Sequence, residues 1–188
     1  LYGLELMVTV YEPEHVPLID PYVNRFKISS FEAQRPDLID AVVAMGKPII
    51  VSMGMGQNRS PVFRIAPERT TPLHCVSAYP ADPAQMNLRA MWRYTGPHGL
   101  SDHTVGTTAA VIAVALGSTI VEKHIRTADV LTGPDAGFAL PPERFTRYVN
   151  AIREAEVMLG DGTKRPQEGE LTWAKWQAET GKRGTKPI

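Results

Sequence analysis

The sequence predicts an α/β fold built on a parallel sheet covered by helices, and two observations predict it. Short apolar runs alternate with helical patterns along most of the chain, the rhythm of strand, helix, strand units. Polar residues gather at the C-terminal ends of the apolar runs: Thr9, Lys27 and Ser30, Ser52, Ser77 and Tyr79, Ser101 and His103, and His124. In parallel α/β folds that rim is where sites form.

Taken in order, the chain opens with a strand pattern over residues 4–10 and a helix over about 13–20. A strand over 25–29 precedes a helix over 36–45, and Gly46 follows that helix just ahead of the strand at 48–52. Residues 53–70 break the rhythm. Gly54, Gly56, Pro61, Pro67 and the charged Arg59, Arg64, Glu68 and Arg69 leave room for a short helix or a loop. Strand 71–76, helix 84–94, strand 98–101, the Ala-rich helix 107–116, Gly117 and strand 119–124 come next. The firmest helix covers 142–159. Phe145, Tyr148, Val149, Ile152, Ala155, Val157 and Met158 form much of an apolar stripe, Pro142 suits a first turn, and Gly160 suits a stop. Beyond Gly160 a polar tail with Trp173 and Trp176 reads as a linker or arm that docks elsewhere.

Bulk properties bound the rest. The 188 residues suffice for one domain, with 43% apolar and 21% charged residues. Twenty basic side chains balance twenty acidic ones, so composition predicts neither nucleic acid nor an anionic membrane as partner. No apolar run approaches the roughly 18 residues of a membrane span, and no secretory signal pattern is found. Cys75 is the single cysteine, which excludes an internal disulfide and fits the cytoplasm. The chain starts at Leu1 and enters a strand pattern without a cap or polar lead-in, which predicts sequence upstream.

His103 and His124, 21 positions apart, each end a predicted strand, and the segment between them reads as a helix. A strand, helix, strand unit delivers both imidazoles to one rim of the sheet, where two such groups can hold one divalent metal. Side-chain parity turns Cys75, Ser77 and Tyr79 to the site and His74 to the helix layer. Cys75 is thus expected to be an inward-facing filler and His74 structural, while His15 and His98 have no constellation around them. Glu122 shares parity with His124 and is expected either to support a metal from behind or to form a structural salt bridge.

Six ordered strings carry a more specific reading. They are Phe26-Lys27-Ile28-Ser29-Ser30-Phe31-Glu32, Gly46-Lys47-Pro48-Ile49-Ile50-Val51-Ser52-Met53-Gly54-Met55, Leu73-His74-Cys75-Val76-Ser77-Ala78-Tyr79-Pro80, Gly99-Leu100-Ser101-Asp102-His103-Thr104, Glu122-Lys123-His124 and Gly133-Pro134-Asp135. Over about residues 1–165 the chain resembles the sialic acid synthase family, which condenses phosphoenolpyruvate with a six-carbon amino sugar. The resemblance implies that Lys27, Ser30, Ser52 and Ser101 contact phosphoenolpyruvate, with Ser77 in the same group. Its phosphate and carboxylate call for a cation and neutral donors. It implies that His103 and His124 hold a divalent metal, manganese or magnesium, that polarises the sugar aldehyde; imidazole ligation alone admits zinc equally. C3 of phosphoenolpyruvate then attacks the aldehyde carbon, water adds at C2, and phosphate leaves. Asp135 and Tyr79 match sugar-side positions, and Thr9 aligns less firmly because its segment is about one residue short. Lys27, His103 and His124 are thus the catalytic candidates.

The same resemblance implies a TIM-type (β/α)8 barrel, of which this chain covers the third to eighth strands. It lacks the first two, and with them a glutamate that serves as acid or base. Residues 1–160 are then a partial catalytic barrel and 161–188 a polar linker, with the family's small C-terminal domain absent. Six strands leave two unpaired edges, and a homodimer is expected. Residues after Ser52 are fewer than usual, and Ala136, Gly137 and Ala139 replace more polar residues, which leaves the amino sugar unassigned. Two other functions remain open: a different metal-dependent barrel aldolase or hydrolase, and a noncatalytic remnant that binds ligand.

Overall fold

The computed structural model describes residues 3–56 and 60–181. They fall into two compact units, one running to Val157 and one starting at Met158. In the first, β1 (Val8–Thr9), β2 (Phe26–Ile28), β3 (Ile49–Met53), β4 (Thr70–Cys75), β5 (Gly99–Asp102) and β6 (Ile120–Lys123) form one sheet. The strands lie in sequence order and every neighbouring pair is parallel. All six predicted strands are present.

The sheet curls strongly. Lys27 on β2 and Glu122 on β6 stand four strands apart in the order, yet Nζ and Oε1 are 3.5 Å apart. At about 4.8 Å per strand a flat sheet would separate those backbones by roughly 19 Å. Two short side chains make the point more firmly: Ser52 Oγ on β3 and Ser101 Oγ on β5 lie 2.6 Å apart across β4. The concave face therefore carries Thr9, Lys27, Ser52, Cys75, Ser101 and Glu122.

The convex face holds the opposite parity and the helices. Val10, Phe26, Ile28, Ile49, Val51 and Met53 pack with Val16 and with Leu38, Ile39 and Val42 of a helix. That helix is α2 (Pro36–Ala44), and Val16 starts α1 (Val16–Ile19). After the one-turn α3 (Val62–Ile65), Leu100 packs with Ala109 and Ala113 of α4 (Thr108–Ala115). Ala110 joins Leu140 and Tyr148 of α5 (Pro142–Leu159) in a third cluster. Gly46 and Gly117 adopt φ of +74° and +93° after α2 and α4, the left-handed turn that ends a helix. Gly99 has another reason: a Cβ there would lie 2.3 Å from the Ile120 carbonyl oxygen and 2.5 Å from Leu73 Cδ2.

Several elements differ from the sequence reading. The first strand shrinks to Val8–Thr9 because its ladder with β2 has only two rungs. In place of one helix over 13–20, two 3-10 turns, Pro13–His15 and Asp20–Tyr22, flank α1. The helix expected over 84–94 is two 3-10 pieces, Pro83–Gln85 and Leu88–Arg93. Asn87 between them has φ +43°, which no α-helix accommodates.

In the second unit the tail is not a bare linker. It carries a 3-10 turn, Glu168–Glu170, and α6 (Leu171–Thr180). Glu170 accepts the Gln167 backbone N–H at 2.8 Å, which satisfies a free donor at the helix start. Trp173 and Trp176 meet edge to face on α6, with ring centroids 6.3 Å apart.

Candidate active site

Parallel register brings the polar C-terminal strand ends to one place. Thr9, Lys27, Ser30, Ser52, Tyr79 and Ser101 join His103 and His124 around a cavity of about 300 Å³ at that rim. Tyr11, Ser29, Cys75 and Glu122 also reach it. A larger cavity of about 620 Å³ lies elsewhere, among residues such as Phe63, Pro67, Pro72 and Tyr94. It gathers none of the predicted site residues.

Lys27 is 3% exposed, a burial that a cation tolerates only with partners. Its Nζ donates to the Ile28 carbonyl oxygen at 3.2 Å and faces Glu122. The Glu122 carboxylate in turn accepts from Ser101 Oγ and, at 3.5 Å, from Ser52 Oγ. Glu122 thus takes the salt-bridge alternative, with Lys27 as its partner. One buried cation, one carboxylate and a row of hydroxyls make this half of the cavity.

Ser30 and Ser77 crowd Gly54, whose backbone N–H donates to Ser30 Oγ at 3.0 Å. A Cβ on Gly54 would meet Ser77 Oγ at 2.1 Å and Ser30 Oγ at 2.8 Å, so only glycine leaves room for both hydroxyls where they stand. Cys75 Sγ lies 3.4 Å from Ser30 Oγ and 3.6 Å from Ser77 Oγ. That agrees with its expected inward parity. His74 points the other way, its Nε2 2.7 Å from the Met86 carbonyl oxygen.

The imidazoles occupy the other half, with ring centroids 5.4 Å apart. His103 Nδ1 lies 2.9 Å from the Val76 carbonyl oxygen. Only a protonated Nδ1 can donate there, which leaves Nε2 with its lone pair. His124 Nδ1 is 3.2 Å from Asp135 Oδ2, the carboxylate and histidine arrangement that fixes a metal ligand. Asp135 reaches it because Leu140 N–H donates to the His124 carbonyl and Ala139 N–H to the Asp135 carbonyl, at 2.9 and 2.8 Å. Burial lowers the His103 pKa below its usual value, so the ring stays neutral and available as a ligand.

Tyr79 and Phe138 wall the histidines. The Tyr79 ring stands 4.2 Å from His103 and 5.3 Å from Phe138, and Phe138 stands 5.0 Å from His124. Burial raises the Tyr79 pKa, which keeps its hydroxyl a donor. The donor set fits a divalent metal with an open coordination sphere. Among the described residues no group of three or more His, Cys, Asp or Glu side chains is placed to hold a metal, so further ligands would be water or substrate.

Sequence reasoning missed two features. Phe138 follows the Gly-Pro-Asp string at a position whose neighbours drew attention only for lost polarity. Asp102 and Lys123, beside the histidines, form a buried ion pair with Nζ and Oδ2 3.1 Å apart. Tyr148 Oη donates to Asp102 Oδ2 at 2.7 Å, and Asp102 Oδ1 accepts Thr104 N–H and Oγ1 at 2.8 and 2.7 Å. Burial lowers the Lys123 pKa and raises that of Tyr148. Two opposite charges on the outward parity of adjacent strands were the available signal.

A curled parallel sheet with a polar cavity at its carboxyl rim is the arrangement of the α/β class in which sites form at strand ends. The chain belongs to the NeuB family, whose model matches residues 2–164. It is 33% identical to the N,N'-diacetyllegionaminic acid synthase of Legionella pneumophila, over 90% of this chain and 52% of that protein. It is 35% identical to a pseudaminic acid synthase of Campylobacter jejuni, over 79% of this chain and 46% of that one. Among solved structures, the N-acetylneuraminic acid synthetase of Leptospira borgpetersenii superposes with a TM-score of 0.80 at 26% identity, covering 93% of this chain and 65% of that chain. The chain spans about half the length of the curated relatives it matches. No helix among the described residues is long and apolar enough to cross a membrane.

Proposed function

We propose that the protein condenses phosphoenolpyruvate with the open-chain aldehyde of an N-acetylated amino sugar, of the N-acetylmannosamine type, to give a nonulosonic acid and inorganic phosphate. The observation that carries this reading is the pairing, in one cavity, of a buried lysine and hydroxyl row with two imidazoles whose Nδ1 atoms are both engaged. The first half suits an anion and the second a metal. In this reading the sheet is six strands of a TIM-type (β/α)8 barrel, and the family match supports it.

Lys27, Ser30, Ser52 and Ser101 bind the phosphate and carboxylate, with Ser77 adding a hydroxyl. Glu122, already bonded to Lys27 and two of those serines, gives up part of that contact as the anion enters. Tyr79, Thr9 and Asp135 orient the sugar, while Phe138 excludes water from the histidine side. His103 and His124 would hold manganese or magnesium through Nε2; when bound, the metal supplies Lewis-acid polarisation of the aldehyde oxygen. A bond forms between C3 of phosphoenolpyruvate and the aldehyde carbon, water adds at C2, and the C2–O bond to phosphate breaks. One water is consumed per phosphate released.

A homodimer in the cytoplasm completes the proposal. Among the described residues the two outer strands, β1 and β6, have a single neighbour each, and the lone cysteine is free and buried.

Lys27→Met tests the anion half directly. It should weaken phosphoenolpyruvate binding by about 10–100-fold, the worth of a hydrogen bond to a charged group. Calorimetric titration of the intact protein gives the affinity, and an unchanged affinity would contradict the assignment.

A further inference from the structure

We propose that the buried Asp102–Lys123 ion pair is a positioning device that sets the spacing of His103 and His124. The inference rests on the reading of those two imidazoles as metal ligands. Asp102 and Lys123 are partners in the last rung of the β5–β6 ladder, and the residue just after each strand is a histidine. Their side chains are nearly inaccessible, at 0% and 3% exposure, with Nζ and Oδ2 3.1 Å apart. A salt bridge between neighbouring strand ends fixes the distance between the backbones from which both rings spring.

The pair also brackets His103. Asp102 precedes it, and Thr104 follows it with all three of its polar groups engaged. Thr104 N–H and Oγ1 donate to Asp102 Oδ1, and the Thr104 carbonyl oxygen accepts from Lys123 Nζ. The direction in which the chain leaves β5 is therefore set by this network at the residue that carries the ligand.

From the helix layer, Tyr148 of α5 donates to Asp102 Oδ2 at 2.7 Å and lays its ring 5.2 Å from Lys123 Nζ. Burying two charges is costly, and a well-packed apolar pair often fills such a place at least as stably. What an apolar pair does not supply is direction. Hydrogen bonds at fixed angles to Thr104 and Tyr148 do, and the rings they orient must meet one ion.

Titration of the intact protein with Mn2+ alone, followed by the electron paramagnetic resonance of free Mn2+, reads the spacing without turnover. Lys123→Met should weaken Mn2+ binding about 10–100-fold, the range seen when a group supporting a metal ligand is lost. Tyr148→Phe, which removes one hydroxyl, should weaken it a few-fold in the same direction. Near-UV circular dichroism verifies that each variant is folded. Unchanged Mn2+ affinity in folded Lys123→Met, with binding still abolished by His103→Ala, overturns the positioning role and leaves the metal site standing. If Lys123→Met does not fold, Tyr148→Phe decides, and wild-type affinity there overturns the proposal. Absence of Mn2+ binding by the wild-type protein overturns both the proposal and the reading beneath it.

Discussion

His103→Ala and His124→Ala are each expected to lower metal-dependent phosphate release about a thousandfold or more. With no group of three or more His, Cys, Asp or Glu side chains placed to hold a metal among the described residues, removing one imidazole halves the protein's hold on the ion. Lewis-acid stabilisation is worth several kcal/mol, and each 1.36 kcal/mol is a factor of ten in rate. Both variants should keep the fold, because each ring lies at the cavity rim and neither belongs to the apolar clusters. Steady-state phosphate release at saturating Mn2+ measures the effect. Full activity in both variants would remove the metal from the account.

Asp102→Ala is expected to destabilise the protein by about 3–5 kcal/mol, the cost of stripping one partner from a buried ion pair. Lys123 would lose its carboxylate, and Tyr148 Oη with Thr104 N–H and Oγ1 would lose their acceptor. Each buried donor left unmet adds its own desolvation cost. Replacing both charges, in Asp102→Leu with Lys123→Met, should recover the part of the loss that comes from the unpaired charge, while the donors of Tyr148 and Thr104 stay unmet. Urea unfolding of wild type, Asp102→Leu, Lys123→Met and the pair gives the coupling. Additive effects would mean that the two side chains do not interact in the folded protein.

The fold was legible where one physical rule decided it. Position at the ends of apolar runs picked out Lys27, Ser52 and Ser101, and parity turned Cys75 inward and His74 outward, as the structure has them. Helix α5 has the bounds that Pro142, the apolar stripe and Gly160 predict. The helix over 84–94 failed because apolar spacing survives a break: Asn87 takes a left-handed conformation, and side-chain pattern does not register a backbone turn. The tail helix α6 was missed because Leu171–Thr180 carries no clear apolar stripe and no side-chain cap at its start; the contact of Glu170 with the Gln167 N–H belongs to the 3-10 turn before it.

The site divides in the same way. Its two halves were readable as polar residues at strand ends, whereas contacts that depend on curl were not. Nothing in the spacing of Lys27 and Glu122 announces that four strands bend enough to join them. Asp135 was expected on the sugar; it also holds His124 Nδ1, a contact made by the fold-back of Leu140 onto β6. Tyr148 was counted as part of an apolar stripe, and only its hydroxyl's reach to Asp102 separates it from one.

The central claim is that this cavity joins phosphoenolpyruvate to an amino sugar with the help of a metal. Inorganic phosphate release by the intact protein, measured with Mn2+ and a panel of acetamido and diacetamido hexoses, tests it most directly. The account predicts release with at least one sugar, dependent on phosphoenolpyruvate, sugar and Mn2+ together. Folded protein that binds Mn2+ and phosphoenolpyruvate but releases no phosphate with any sugar would contradict it.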